Sequence, residues 1–368
     1  MGDAYIAEGV RRAAALGNRG PLEFTAEGAL APHIDAAYWR TGFYIFEGVF
    51  GDAEVADLVA DFDRFLERAP TSSTATTDAA GRPALSPGPG QKRRFTFGKP
   101  LGDPFGGTGA ARGRYQARMT EYAAPDDAPE EVLVNVVGAL QFMDSFLRLY
   151  GHPRLLAVAA HINGPDFVPF REALWIKEAG LGPSTAWHQD GTTHWDTPEL
   201  DAGTHGFNFM AQLYPTTAEN GLWLIPGSHC SGKVDIKARV AANGGSDRLP
   251  GAVPMVCAPG DVALVNRQIL HGAFANRSDR RRVSLTFGFH RRASVAGVVG
   301  EQPEAYDDER IHRRARVIAL GIDARRQRFP DEPRFDYRPL AAEAAANHWN
   351  KANREAVLTD YEQYDLGI

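Results

Sequence analysis

Cysteine is almost absent from this chain, which has two in 368 residues. Cys230 and Cys257 are too few for a disulfide framework; they would pair only if neighbouring strands brought them together, and buried free thiols are the expected state. No apolar run approaches the length needed to span a bilayer. The first 30 residues carry a partly charged, amphipathic stretch where a signal peptide would need an apolar one. Strong charge of one sign is missing too: 40 basic and 46 acidic side chains are interspersed and leave a formal charge of −6. That balance gives neither the basic footprint of a nucleic-acid binder nor a polybasic membrane patch. Internal repeats are also absent. The expectation is a soluble, cytoplasmic protein, with its oligomeric state left open.

Along the chain, residues 3–16 predict a short helix ended by Gly17-Asn18. An apolar strand over 43–50 leads into a helix over 53–68, where Val55, Leu58, Val59, Phe62, Phe65 and Leu66 form one stripe. From Pro70 to about Gly113 the composition turns to Thr, Ser, Gly, Pro and Ala, and a loop of that length is either functional or mobile. Its basic-aromatic knot, Lys92-Arg93-Arg94-Phe95-Thr96-Phe97, is placed to cover the mouth of a site, or else belongs to an ordinary surface loop. Helical period is read over 130–149, and a second helix from His152-Pro153 to about Ala160. After a strand over 167–177 the pattern becomes strand, turn, strand, at 206–214, 221–225, 261–265 and 283–289, punctuated by Pro226-Gly227-Ser228 and Pro259-Gly260-Asp261. Short strands with such punctuation suggest a sandwich or barrel. Two tail helices, 307–328 and 338–363, are expected against the outside of the sheet.

The chemistry concentrates at Trp187-His188-Gln189-Asp190. On a strand, alternate side chains share a face, so His188 and Asp190 point together while Gln189 turns away. His271 is the best candidate for a third ligand. Two imidazoles and a carboxylate on one face of a metal leave the other face open, as in non-heme Fe(II) oxygenases. The same donors would suit zinc, but no helix-borne His-x-x-x-His and no evident general base accompany them. Taken alone, a His-x-Asp triplet is commonly a surface polar pair.

Four segments then fall in order: Trp187-His188-Gln189-Asp190; Glu219-Asn220-Gly221 running on to Ile225-Pro226-Gly227-Ser228-His229; Pro259-Gly260-Asp261; and His271-Gly272-Ala273-Phe274-Ala275-Asn276 followed by Arg280-Arg281-Arg282. In these the chain resembles the phytanoyl-CoA dioxygenase family of iron- and 2-oxoglutarate-dependent oxygenases, strongly over about 170–290 and more faintly near Tyr38–Leu66. The resemblance implies a mainly β fold with flanking helices around a double-stranded β-helix, or jelly-roll, core. It implies one domain over 1–368: an N-terminal strand, helices and long loop over 1–166, the core with the metal site over 167–292, and C-terminal helices over 293–368. It implies Fe(II) held by His188, Asp190 and His271, with 2-oxoglutarate as co-substrate and O2 as oxidant. The oxo acid's far carboxylate needs a planar, permanently charged fork. In the family that arginine lies eleven residues past the distal histidine, which selects Arg282, with Arg280 as runner-up on the same strand face. Ser284 would add a hydroxyl bond, and Lys177 would touch an oxo-acid oxygen.

Retention of the carboxylate at Asp190 favours hydroxylation over halogenation; desaturation or ring formation stays open. Trp195, Phe209, Phe95 and Phe97 are candidate substrate contacts, hinting at an apolar or ring-shaped molecule. His194, His205 and His290 lie near the motifs, and ordinary hydrogen bonding is the simpler role for each. His229, Glu219, Asn220 and Asp261 read as turn-forming residues. Two rivals remain: a jelly-roll binding protein without catalysis, and a metal enzyme that does not use the oxo acid.

Overall fold

A computed structural model of the chain describes residues 2–85, 95–169, 171–190, 206–298 and 305–363. The N-terminal part runs α1 (Gly2–Ala15), β1 (Arg19–Pro21), α2 (Pro32–Thr41), β2 (Phe43–Glu47) and α3 (Asp52–Arg68). Helix α3 follows its predicted stripe: Leu58, Phe62 and Phe65 are buried, with Val55, Val59 and Leu66 packed beside them. The middle part comprises β3 (Phe95–Gly98), α4 (Ala110–Gly113), β4 (Val132–Val137), α5 (Asp144–Leu149) and α6 (Pro153–Asn163). Proline at its first turn and the His152 ring, which accepts from Leu155 N at 3.4 Å, start α6 where the sequence placed it.

The rest of the chain carries β5 (Val168–Pro169), β6 (Ala173–Lys177), β7 (Thr185–His188), β8 (Gly206–Gln212), β9 (Trp223–Leu224), α7 (Ile236–Ala242), β10 (Val253–Pro254), β11 (Val262–Asn266), β12 (His271–Ala273) and β13 (Arg282–His290), then α8 (Asp308–Arg328) and α9 (Lys351–Gln363). Two sheets result. The larger is ordered β1-β2-β11-β8-β13-β6-β4-β3, with β5 pairing the end of β13; the smaller is β10-β9-β12-β7. Facing side chains from both, among them Phe43, Ile45, Val265, Leu224, Val253 and Ile269, form one apolar core. The outer face of the larger sheet is covered by helices, and β13 shows how one strand serves both layers. Val283, Leu285, Phe287 and Phe289 join the helix-covered core. Arg282, Ser284 and Thr286 point the other way, toward the smaller sheet, as period-two alternation requires.

The helical layer closes through a backbone contact. A Cβ on Gly151 would lie 2.1 Å from Gly321 O, so only glycine lets α8 cross the turn between α5 and α6. Among the described residues, no helix is long and apolar enough to cross a membrane.

Four expectations need correction. The helix read over 130–149 is strand β4 followed by the short helix α5, because Val132-Leu133-Val134-Asn135-Val136-Val137 is rich in β-branched residues and pairs with β6 and β3. The tail segment 338–363 is a tight turn over 338–343 and then α9. In the long loop, β3 and α4 are ordered, while 86–94 lies outside the described residues. Both cysteines are free; Cys257 is buried, but Cys230 is exposed.

Candidate metal centre and substrate cavity

Strands β7 and β12 are neighbours in the smaller sheet, and their register sets His271 directly opposite His188. The ring centroids are 4.1 Å apart. Asp190 follows the end of β7, its backbone N–H donating to Arg267 O at 2.8 Å. One ligand atom from each of His188, Asp190 and His271 lies within 4.8 Å of the others. Each imidazole is oriented by its own strand: His188 Nδ1 is 2.8 Å from Ala186 O, and His271 Nδ1 is 2.9 Å from Ile269 O. A carbonyl only accepts, so Nδ1 carries the proton and the Nε2 lone pair is left for a metal. Burial, with His271 close by, pushes His188 well below the usual imidazole value and keeps it neutral. For Asp190, burial alone would favour the acid. The electrostatic pull of His271 and His188, then of the Arg114 and Arg267 guanidinium groups, outweighs that and holds its carboxyl well below the usual range. A neutral His188 and an ionised Asp190 are the protonation states that metal ligation needs, and with His271 opposite them the residues fit a 2-His-1-carboxylate centre.

The carboxylate is held at both oxygens. Arg114 Nη1 donates to Oδ1 at 2.8 Å, and Asn208 Nδ2 donates to Oδ2 at 3.1 Å. Asn208 stands on the inward face of β8. Its side chain has room because Gly288 opposite has no Cβ, which would fall 2.9 Å from Asn208 Oδ1. Beside the triad a cavity of about 320 Å³ runs between the sheets. Phe105, Tyr115 and Trp175 line one wall, with Phe105 stacked on Tyr115 at 5.1 Å between centroids. Tyr115 also packs on His188, at 4.6 Å.

Arg282 lies in this cavity, 3% exposed. Its Nη1 donates to Asn220 O at 3.3 Å, Nε has no partner, and no carboxylate among the described residues pairs with it. Burial lowers its pKa to about 10, which leaves it charged at neutral pH. The Glu-Asn-Gly segment therefore does more than turn the chain, since it tethers this arginine.

The other candidate residues fall elsewhere. Arg280 precedes the first residue of β13, and its side chain is 63% exposed in a turn, so it does not share the face of Arg282. Ser284 directs its hydroxyl to Gln212 Oε1 at 2.7 Å. Lys177 donates to Pro183 O at 2.5 Å and Phe274 O at 2.6 Å; burial, then Arg282, lowers its pKa strongly, and it braces two loops without reaching the cavity. Phe209 packs outward against Phe207 and Phe287. Phe95 stacks on Phe65 at 5.9 Å and Phe97 joins the same core, while Thr96 between them lines the cavity. Trp195, His194 and His205 lie outside the described residues. His290 bonds Arg267, His229 bonds Trp39 O, and Asp261 caps its turn by accepting from Ala258 N at 2.8 Å and from Gly48 N at 2.9 Å.

Sequence reasoning missed Arg114, Asn208, Tyr115, Phe105 and Trp175. The alternation Phe207-Asn208-Phe209-Met210 held a signal for Asn208. A loop without periodicity held none for Arg114.

The chain is similar to known proteins in sequence and in fold. A model of the family described as phytanoyl-CoA dioxygenase matches residues 38–284. The dioxygenase lolE1 of Epichloe uncinata is 29% identical over 164 residues, covering 43% of this chain and 57% of that protein. The phytanoyl-CoA dioxygenase domain-containing protein 1 of Rattus norvegicus is 25% identical over 288 residues, covering 70% of this chain and 89% of that one. Among solved structures, EctD from S. alaskensis, crystallised with 2-oxoglutarate and 5-hydroxyectoine, superposes with a TM-score of 0.50 at 20% identity, over 77% of this chain and 85% of that one. The last likeness shows a common fold.

Proposed function

The chain belongs to the phytanoyl-CoA dioxygenase family and is an Fe(II)- and 2-oxoglutarate-dependent dioxygenase; we propose that His188, Asp190 and His271 hold the ferrous ion, that Arg282 holds the oxo acid, and that the reaction hydroxylates an unactivated C–H bond of a small molecule. The observation that carries this is the convergence of three ligands, His188 and Asp190 from one strand end and His271 from a distant one, to within 4.8 Å of one another. Bound there, Fe(II) chelated by 2-oxoglutarate supplies reductive activation of O2 coupled to decarboxylation, with succinate and CO2 released. The protein supplies placement. Two backbone carbonyls fix the imidazoles, and Arg114 and Asn208 fix the carboxylate. Arg282 offers its fork to the far carboxylate of the oxo acid. Phe105, Tyr115 and Trp175 give the substrate an apolar wall and keep bulk water from that side. A carboxylate at position 190 occupies the ligand position that a halide would need, which supports hydroxylation.

Arg282→Ala tests the assignment. Loss of a charge-assisted bidentate contact is expected to weaken 2-oxoglutarate binding by about 10²-fold, with iron uptake retained. Unchanged uptake of the oxo acid in that variant would falsify the anchor. Screening small metabolites for stimulated succinate release then identifies the substrate.

A further inference from the structure

Two arginines face the one cavity, and they are tethered alike. Arg282 is fixed through Nη1 to Asn220 O at 3.3 Å, and Arg114 through Nη1 to Asp190 Oδ1 at 2.8 Å. In both, Nε is buried without a hydrogen-bond partner, and the side-on edge formed by Nε and Nη2 makes no hydrogen bond among the described residues. That edge is the planar fork that takes an oxyanion through two parallel bonds. The oxo acid accounts for the first fork. We propose that the second, on Arg114, binds an oxyanion carried by the substrate itself, a carboxylate or a phosphate group. This rests on reading the chain as 2-oxoglutarate-dependent, because that reading assigns Arg282 to the co-substrate.

The surroundings of Arg114 favour an incoming anion over a simple clamp on Asp190. A clamp needs one N–H. Leaving Nε buried and unbonded is unfavourable until a ligand answers it, and the Arg114 side chain is still 16% exposed, so a ligand in the cavity can reach it. Arg114 and Tyr115 also form the wall between the inner cavity and a second groove of about 800 Å³. Lys233 and Lys237 line that groove, with no ion-pair partner among the described residues. Its carboxylate, Asp235, is turned to Ala238 N at 2.9 Å, capping α7. Charge on the groove therefore favours an anion on its way to Arg114. The fork is also pre-positioned. The Tyr115 ring centroid lies 5.9 Å from the guanidinium carbon, and Gln116 ties the segment to α7 by donating to Val234 O at 3.0 Å and accepting from Ile236 N at 2.9 Å.

The test uses the 368-residue chain under anaerobic conditions, loaded with Fe(II) and saturating 2-oxoglutarate so that the Arg282 fork is filled. Sodium acetate and inorganic phosphate are titrated calorimetrically into wild type, Arg114→Gln and Arg114→Lys, and the visible charge-transfer band of the Fe(II)–oxo acid chelate is recorded for each. Wild type is expected to take up one of the two anions saturably, and the tighter probe names the substrate's group. Arg114→Gln, given Fe(II) and 2-oxoglutarate at concentrations raised until its own band saturates, is expected to bind the anion at least about tenfold more weakly. Arg114→Lys, with charge but no fork, should recover only part of that loss. Equal affinity in wild type and Arg114→Gln, or no saturable uptake by wild type, overturns the proposal. Loss of the band in Arg114→Gln alone overturns it as well, by making this arginine a clamp on the metal ligand. No band in wild type is a separate result: it removes the oxo-acid reading and this inference with it.

Discussion

Asn208→Leu isolates what one neighbouring side chain does for the metal centre. Asn208 is 6% exposed, and its amide N–H donates to Asp190 Oδ2 at 3.1 Å. The amide oxygen has no hydrogen-bond partner among the described residues. Leucine keeps the approximate shape, deletes one hydrogen bond to a charged acceptor and removes one buried, unbonded carbonyl oxygen. A bond to a charged group contributes about 1.5–3 kcal/mol. Arg114 still holds the other oxygen of Asp190 at 2.8 Å, so the carboxylate loses orientation in part, and the low end of that range applies. Since about 1.4 kcal/mol corresponds to tenfold in affinity, iron binding is expected to weaken about tenfold, within the range usual for residues that orient a metal ligand. The metal-free protein behaves differently. There the lost bond and the removed orphan oxygen offset each other, so unfolding free energy should move by less than about 1 kcal/mol. Fe(II) titration by competition with a chromophoric chelator gives the first quantity, and urea unfolding of the metal-free protein gives the second. Iron affinity within about twofold of wild type, or a fall in affinity matched by an equal loss of metal-free stability, would refute the reasoning.

Two further perturbations probe the helical layer. Glu172 is fully buried, accepts from Leu140 N at 3.4 Å, and is pushed up to about 8 by burial first and by Glu362 second. A carboxyl raised in this way stabilises the fold below its unfolded value and loses that contribution as pH rises through the folded one. The wild-type Tm should therefore fall between about pH 5 and about pH 8, and Glu172→Gln should flatten that slope in a thermal scan across the same window. Glu54 forms a two-pronged ion pair with Arg325, at 2.6 and 3.1 Å, beneath α3 and α8. Glu54→Leu leaves a buried guanidinium with Glu332 alone and is expected to lower unfolding free energy by about 3 kcal/mol in urea, the low end for a broken buried pair because one carboxylate remains.

The sequence was most legible where local chemistry and long-range packing agree. Strands β8, β11 and β13, helices α3 and α8, and the turns at Asn220 and Asp261 appear where their residues put them. So do the two histidines and the carboxylate, because chelation constrains residue type so tightly that chance arrangements are few. It was least legible where a segment's role depends on its partner. Val132–Val137 has apolar residues enough for a helix face, and only the neighbours β3 and β6 decide that it is a strand. Arg280 illustrates the limit of periodicity: alternation reaches it on paper, but β13 begins at Arg282 and the turn points Arg280 to solvent. Phe209, Phe95 and Phe97 were placed by residue type, aromatic and so suited to a substrate, when their strand faces belong to the helix-covered core.

Those misplacements point to a rule for this sheet. Strand β13 is buried along its whole length, as is β8, and yet both alternate in polarity. On a sheet with one wet face, a polar set marks solvent. Here both faces are buried, so Arg282, Thr286 and Asn208 on the inward side cannot be explained by exposure at the surface. Each has a side-chain atom with no hydrogen-bond partner among the described residues, and buried polar atoms left unbonded are unfavourable enough that folded chains seldom keep several together. A strand alternating in polarity while wholly buried therefore marks a chamber, with its polar set as the lining. By that criterion Phe207-Asn208-Phe209 and Arg282-Val283-Ser284-Leu285-Thr286 put their aromatic and aliphatic residues in the core and Asn208 in the lining of the site.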